Sequence, residues 1–147
     1  MLSNTIYENE YFRLEQSTEP SIPGYLILFT KVPAISVDHM PDEALVQFGP
    51  LLKICYAAIN TVIKPPRIYC CSFGEVLKQV HFHILPRTEW MEKDFKREHS
   101  SHQAAMSEPI NGPIMFEWAR QYYKDNTKQP VQDVEQVVLQ LKAFFIK

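Results

Sequence analysis

Two imidazoles one residue apart, His81 and His83, stand in the stretch Lys78-Gln79-Val80-His81-Phe82-His83-Ile84-Leu85-Pro86-Arg87. Its alternation predicts a strand with Gln79, His81 and His83 on one face and Val80, Phe82 and Ile84 on the other. Pro86 has no N–H to donate and should end the ladder. Three chemistries fit such a pair. Histidines near a sheet edge can be ordinary polar residues satisfied by neighbours or water. Histidines at alternate strand positions can also chelate zinc, with Cys70, Cys71, His99 or His102 completing the shell. Against that, Gln79 is a poor zinc ligand, no Cys-x-x-Cys is present, and the adjacent Cys70 and Cys71 should face opposite ways. The third chemistry is nucleophilic. A neutral imidazole can attack phosphorus and split one hard displacement into two easier ones. It then needs a fixed tautomer and donors around the phosphate. Gln79 and His83 flank His81 as those donors.

The elements that must carry this strand are legible on either side of it. Residues 6–15 read as two short strands about a polar turn at Glu8-Asn9-Glu10, with Phe12 and Leu14 alternating with Arg13 and Glu15. Ser17 to Gly24 is a loop punctuated by Pro20, Pro23 and Gly24. Tyr25-Leu26-Ile27-Leu28-Phe29-Thr30 is almost continuously apolar, which suits a central strand covered on both faces. Pro41-Asp42-Glu43 opens a helix, with proline at its first position and carboxylates at the positive end of the dipole. Its buried face runs from Ala44 to Val62, and Gly49-Pro50 should kink or split it. Arg67 to Phe73 is a further strand, and Gly74-Glu75 a turn into the histidine strand. Thr88 to Ser107 is polar and takes no clear assignment. Ile114 to Tyr123 reads as a short helix, and after Pro130 the stripe Val131, Val134, Val137, Val138, Leu141, Phe144, Phe145 reads as another. These features divide the chain into an α+β core over residues 1–90 and a C-terminal extension over 91–147, packed on the same domain.

The chain has 147 residues, enough to bury roughly two-thirds of its unfolded surface as one domain. A net charge of −2 argues against broad electrostatic binding of nucleic acid or membrane. A phosphate-bearing ligand would need a local site. Three cysteines make no disulfide framework and suit a reducing, cytoplasmic setting. Residues 1–5 lack the basic and apolar regions of a signal peptide.

The stretch Gln79-Val80-His81-Phe82-His83-Ile84-Leu85-Pro86-Arg87 resembles the signature of the histidine triad (HIT) superfamily, with glutamine in place of the first histidine. Pro23-Gly24-Tyr25-Leu26-Ile27-Leu28-Phe29 resembles that family's proline-glycine-histidine strand, Met40-Pro41-Asp42-Glu43 resembles the start of its long helix, and Gly74-Glu75 sits at the matching distance before the signature. The resemblance spans residues 5 to 90. It implies an antiparallel sheet with a long helix packed on it, usually as a homodimer, and a nucleotide pocket. It also implies hydrolysis or transfer at the α-phosphate of a nucleotide conjugate, with no cofactor and no metal required. By the same resemblance His81 is the nucleophile, passing through a nucleotidyl-histidine intermediate, and His83 contacts phosphate oxygens beside Gln79. The substrate-binding positions fall on Ser17 (ribose), Tyr25, Glu75 and Arg87. Ser17, Tyr25, Glu75 and Val76 stand where the family tends to carry aspartate, histidine, glutamine and a hydroxyl residue. A HIT-fold protein that binds a nucleotide or another phosphorylated ligand without turnover is the alternative.

Overall fold

A computed structural model describes residues 3–101, 108–125 and 132–146. Five strands form one antiparallel sheet in the order β1-β2-β3-β5-β4. They are β1 (Thr5–Glu8), β2 (Phe12–Gln16), β3 (Leu26–Thr30), β4 (Arg67–Cys71) and β5 (His81–Arg87). The turn between β1 and β2 is held by Asn9, whose side-chain oxygen accepts from the N–H groups of Tyr11 and Phe12 at 2.9 and 2.8 Å. β3 lies between β2 and β5, so both its edges are paired. The expected cover on both faces is only partial: Leu26, Leu28 and Thr30 are buried on one face, while Ile27 and Phe29 on the other are half-buried.

One face is covered by α1 (Asp42–Val62) and α4 (Val134–Lys142). Phe12, Leu14, Leu26, Leu28 and Ile84 meet Ala44, Cys55, Ala58 and Ile59 of α1 and Val137, Val138 and Leu141 of α4. Each fully buried aliphatic side chain there stabilises the fold by about 1.5–3 kcal/mol. Asp133 caps α4 by accepting from the N–H groups of Glu135 and Gln136. Val131 lies outside the described residues; Val134, Val137, Val138, Leu141 and Phe145 of the expected stripe pack on the chain's own core, whereas Phe144 is exposed. α1 is 21 residues long and holds an 18-residue window of mean hydropathy 1.3, enough in length and composition to cross a membrane, but its apolar face is turned to the sheet.

The other face is covered in its lower half by α2 (Glu89–Glu98) and α3 (Gly112–Asp125). Met91 and Phe95 of α2 and Met115, Phe116 and Ala119 of α3 pack on Tyr25 and Leu85.

Several sequence expectations change. Gly49-Pro50 does not split α1, which continues through Pro50; a proline costs one hydrogen bond, and the buried face on either side of it holds the helix together. Pro41 caps α1 and is not its first residue. The polar segment after Thr88 is helical over Glu89–Glu98. It hides its pattern because Met91 and Phe95 alone, spaced one turn apart, carry its buried contact, and Thr88 caps it by accepting from the Met91 N–H at 3.2 Å. Pro86 does not end the histidine strand, which runs to Arg87. Cys70 is exposed and Cys71 half-buried; β4 is an edge strand, so one side of it lacks cover. Gly24 has φ +79°, and a Cβ there would stand 2.9 Å from Ile63 Cγ1, so glycine is required where the loop meets the end of α1.

Candidate active site

Register sets which side chains share the upper half of the second face. Arg13 pairs with Phe29 and Phe29 with His81; Glu15 pairs with Ile27, Ile27 with His83 and His83 with Cys71. Residues opposite one another point the same way. Two rows therefore cross the sheet, Arg13–Phe29–His81 and Glu15–Ile27–His83–Cys71. The Phe29 and His81 rings stack at 6.0 Å, and the Arg13 guanidinium lies 5.1 Å from the centre of the Phe29 ring. The two imidazoles meet edge to face at 5.1 Å. Each histidine retains only 8% exposure, while Phe29 and Ile27 are half-buried.

The tautomers follow from the partners. His81 Nδ1 lies 2.9 Å from the backbone carbonyl of Gln79. A carbonyl only accepts, so Nδ1 carries the proton and the neutral ring keeps its lone pair on Nε2. His83 Nδ1 lies 2.7 Å from the Tyr25 hydroxyl. Burial pushes that hydroxyl up to about 12, against the opposing pull of Arg120, so the phenol stays protonated and donates to Nδ1. That places the His83 proton on Nε2, as a donor. Burial, then the Arg120 charge, then His81 push His83 down to about 4. It is neutral at pH 7.

α3 borders the pair. Phe116 meets His83 edge to face at 5.8 Å, and the Arg120 guanidinium lies 5.5 Å from the centre of the Phe116 ring. Burial raises the Cys71 thiol to about 11, so it offers no thiolate nucleophile.

No family model and no curated protein matches this sequence. Solved structures do match along nearly its whole length. A Hit-like protein involved in cell-cycle regulation from Bartonella henselae is 17% identical, with TM-score 0.57, over 98% of this chain and 88% of that one. A zinc-bound histidine triad family protein from Mycobacterium smegmatis is 13% identical, with TM-score 0.58, over 98% and 84%. The chain has the histidine triad fold. A hypothetical histidine triad nucleotide-binding protein from Sulfolobus tokodaii, 16% identical, has TM-score 0.52 over 85% of this chain and 83% of its own.

Within this histidine triad fold the expected residues scatter. His81, His83 and Tyr25 come together, although Tyr25 serves His83. Gln79 precedes the strand, and its Nε2 donates to the carbonyls of Thr30 and Val32 at 2.5 and 3.0 Å. Both amide protons are used on backbone, so it is not the phosphate donor the alternation suggested. Arg87 lies six residues beyond His81, about 20 Å along a strand, and its charge is taken by Glu92 at 2.7 Å; it is not at the site. Ser17 is buried at the end of β2, its N–H bonded to the Tyr25 carbonyl at 2.7 Å. Glu75 is exposed in the bend before β5. Phe12 faces the opposite core, whereas Ile27 shares the histidine face.

No group of three His, Cys, Asp or Glu among the described residues is arranged to hold a metal ion. Cys70 and Cys71 do face opposite sides, toward Tyr56 of α1 and toward the histidine face. His99 Nδ1 is bonded to the Phe95 carbonyl at 2.8 Å, and His102 lies outside the described residues. Phe29, Phe116 and Arg120 were not singled out from sequence. The first was recoverable from alternation along β3, but nothing local marks α3 as part of the site.

Proposed function

We propose that the protein is a hydrolase or nucleotidyl transferase acting at the α-phosphate of a nucleotide conjugate, with His81 as nucleophile. The observation that carries this reading is the 2.9 Å contact between His81 Nδ1 and the Gln79 carbonyl, which leaves Nε2 with its lone pair. Nε2 attacks phosphorus, a P–N bond forms, and the bond to the leaving group breaks, the leaving group taking a proton from solvent. Water or an acceptor alcohol then attacks phosphorus, the P–N bond breaks, and neutral His81 returns. His83 Nε2–H donates to a phosphate oxygen, and Ile27 and Phe29 present an apolar surface to the nucleoside. The hypothetical nucleotide-binding protein of the same fold supports this ligand class. The mechanism takes no cofactor.

The same reading includes a homodimer. One backbone edge of β4 is unpaired in the sheet, beside a cavity of about 390 Å³ lined by Tyr56, Ile68, Tyr69, Phe73 and Phe116. Static light scattering at twice the chain mass would support it.

The test is intact-protein mass spectrometry after mixing wild type and His81→Ala with an adenosine 5′-phosphoramidate. An adduct of one nucleotidyl group in wild type alone is expected, and equal turnover by both proteins would overturn the reading. One observation favours the alternative of binding without turnover. Among the described residues beside His81 no acid stands ready for the leaving group, since His83 is neutral down to about pH 4 and Gln79 cannot titrate. Bound nucleotide with neither adduct nor product would establish that alternative.

A further inference from the structure

Arg120 is the feature that this reading leaves unused. It is contributed by α3, outside the strands and the long helix that carry the histidine triad resemblance. Its guanidinium lies over Phe116, which in turn abuts His83. Its Nε is buried and has no hydrogen-bond partner, and the guanidinium's polar partner is the uncharged Tyr25 hydroxyl. Among the described residues no carboxylate lies within ion-pair distance of it. The other arginine buried on this face, Arg87, is neutralised by Glu92 at 2.7 Å. The groups that do feel the Arg120 charge cannot neutralise it. Tyr25, Cys71 and His83 are all uncharged at neutral pH, because burial holds the first two up and the third down.

A half-buried guanidinium without a counter-ion is costly, since desolvation is not offset by pairing. That cost is relieved when an anion enters, and a guanidinium offers planar, forked donors suited to phosphate oxygens. The chain also needs such a donor. Val76 and Glu75 offer neither a hydroxyl nor an amide in the loop before β5, and Gln79 spends its amide on Thr30 and Val32.

We infer that Arg120 is the anion-recognition residue of this site, holding a non-bridging oxygen of a phosphoryl group placed against the His81–His83 pair. The inference rests on the proposed function for its location and goes beyond it in naming the residue that reads the charge. It makes α3 part of the binding site as well as part of the core. Ligands are then selected by phosphoryl charge, and a bare nucleoside gains nothing from Arg120.

The test is titration calorimetry of wild type, Arg120→Gln and Arg120→Lys with inorganic phosphate, AMP and adenosine, with thermal melts to establish that each variant is folded. Wild type should bind phosphate and AMP. Arg120→Gln should weaken both at least about tenfold, as expected for losing one charge-assisted contact, while adenosine affinity stays constant. Arg120→Lys should recover part of the loss. Equal phosphate and AMP affinities in wild type and Arg120→Gln, or a wild type that binds neither, would overturn the inference. Its failure is separable from that of the proposed chemistry. Charge-dependent phosphate binding without a His81 adduct leaves Arg120 in place and removes catalysis, whereas an adduct with Arg120→Gln binding unchanged does the reverse.

Discussion

The Tyr25 hydroxyl and His83 Nδ1 are 2.7 Å apart, a contact that runs diagonally from the residue before β3 to the middle of β5. Tyr25 follows Gly24, whose positive φ turns the chain into the strand, so the loop geometry and the imidazole orientation are set by adjacent residues. Because the phenol stays protonated, it dictates which His83 nitrogen carries the proton. Tyr25→Phe removes that instruction while keeping the ring in the core. We expect a mixed His83 tautomer by ¹⁵N NMR, a loss of about 1 kcal/mol in stability from one hydrogen bond, and turnover lowered roughly tenfold if His83 donates to the phosphate. A single unchanged tautomer in the variant would show that Tyr25 does not orient the ring.

His83 also makes stability depend on pH. Its value in the fold is about 4, below its ordinary 6.5, with burial as the main cause. Between those values the unfolded chain holds the proton and the folded one does not. The contribution is therefore fully present above about pH 6.5, and it is lost as pH falls toward 4. Screening at this half-open site reduces the effect to on the order of 1–2 kcal/mol. Urea melts at pH 7, 5.5 and 4 should show the midpoint falling, and His83→Asn should flatten that part of the fall. An equal slope in the variant would assign the pH dependence to other groups.

Strands, the long helix and the histidine pair were legible because their signals are local. Alternation at Val80, Phe82 and Ile84 fixes which way His81 and His83 point, and the apolar run from Tyr25 to Thr30 marks a central strand. What escaped depends on partners distant in sequence. Met91 and Phe95 give too sparse a pattern to announce α2, yet they are enough once Tyr25 and Leu85 supply the opposing surface. Arg120 looks like any helix-surface arginine until Phe116 is seen against His83. Gln79 continued the alternation by one residue past the point where the backbone keeps it, so its side chain was assigned to the phosphate when it reaches the carbonyls at the end of β3 instead.

That last contact gives glutamine at position 79 a structural role of its own. Gln79 Nε2 supplies one proton to the Thr30 carbonyl and one to the Val32 carbonyl, tying the exit of β3 to the entrance of β5. Its own backbone carbonyl accepts from His81 Nδ1. The glutamine therefore holds still the carbonyl that sets the tautomer of His81. An imidazole has at most one such proton on each nitrogen, directed along the ring, and cannot bridge two neighbouring carbonyls from one atom. Gln79→Ala should destabilise the fold by about 1–3 kcal/mol, the cost of leaving part-buried carbonyls unpaired. Gln79→His should be destabilised in the same direction, although it recreates three alternating histidines. Thermal melts measure the first effect, and the His81 tautomer by ¹⁵N NMR measures the second, with a growing share of the Nδ1-unprotonated form expected in both variants. If Gln79→His is as stable as wild type and forms the nucleotidyl adduct faster, then the glutamine is a substituted catalytic position, and its bonds to Thr30 and Val32 are incidental.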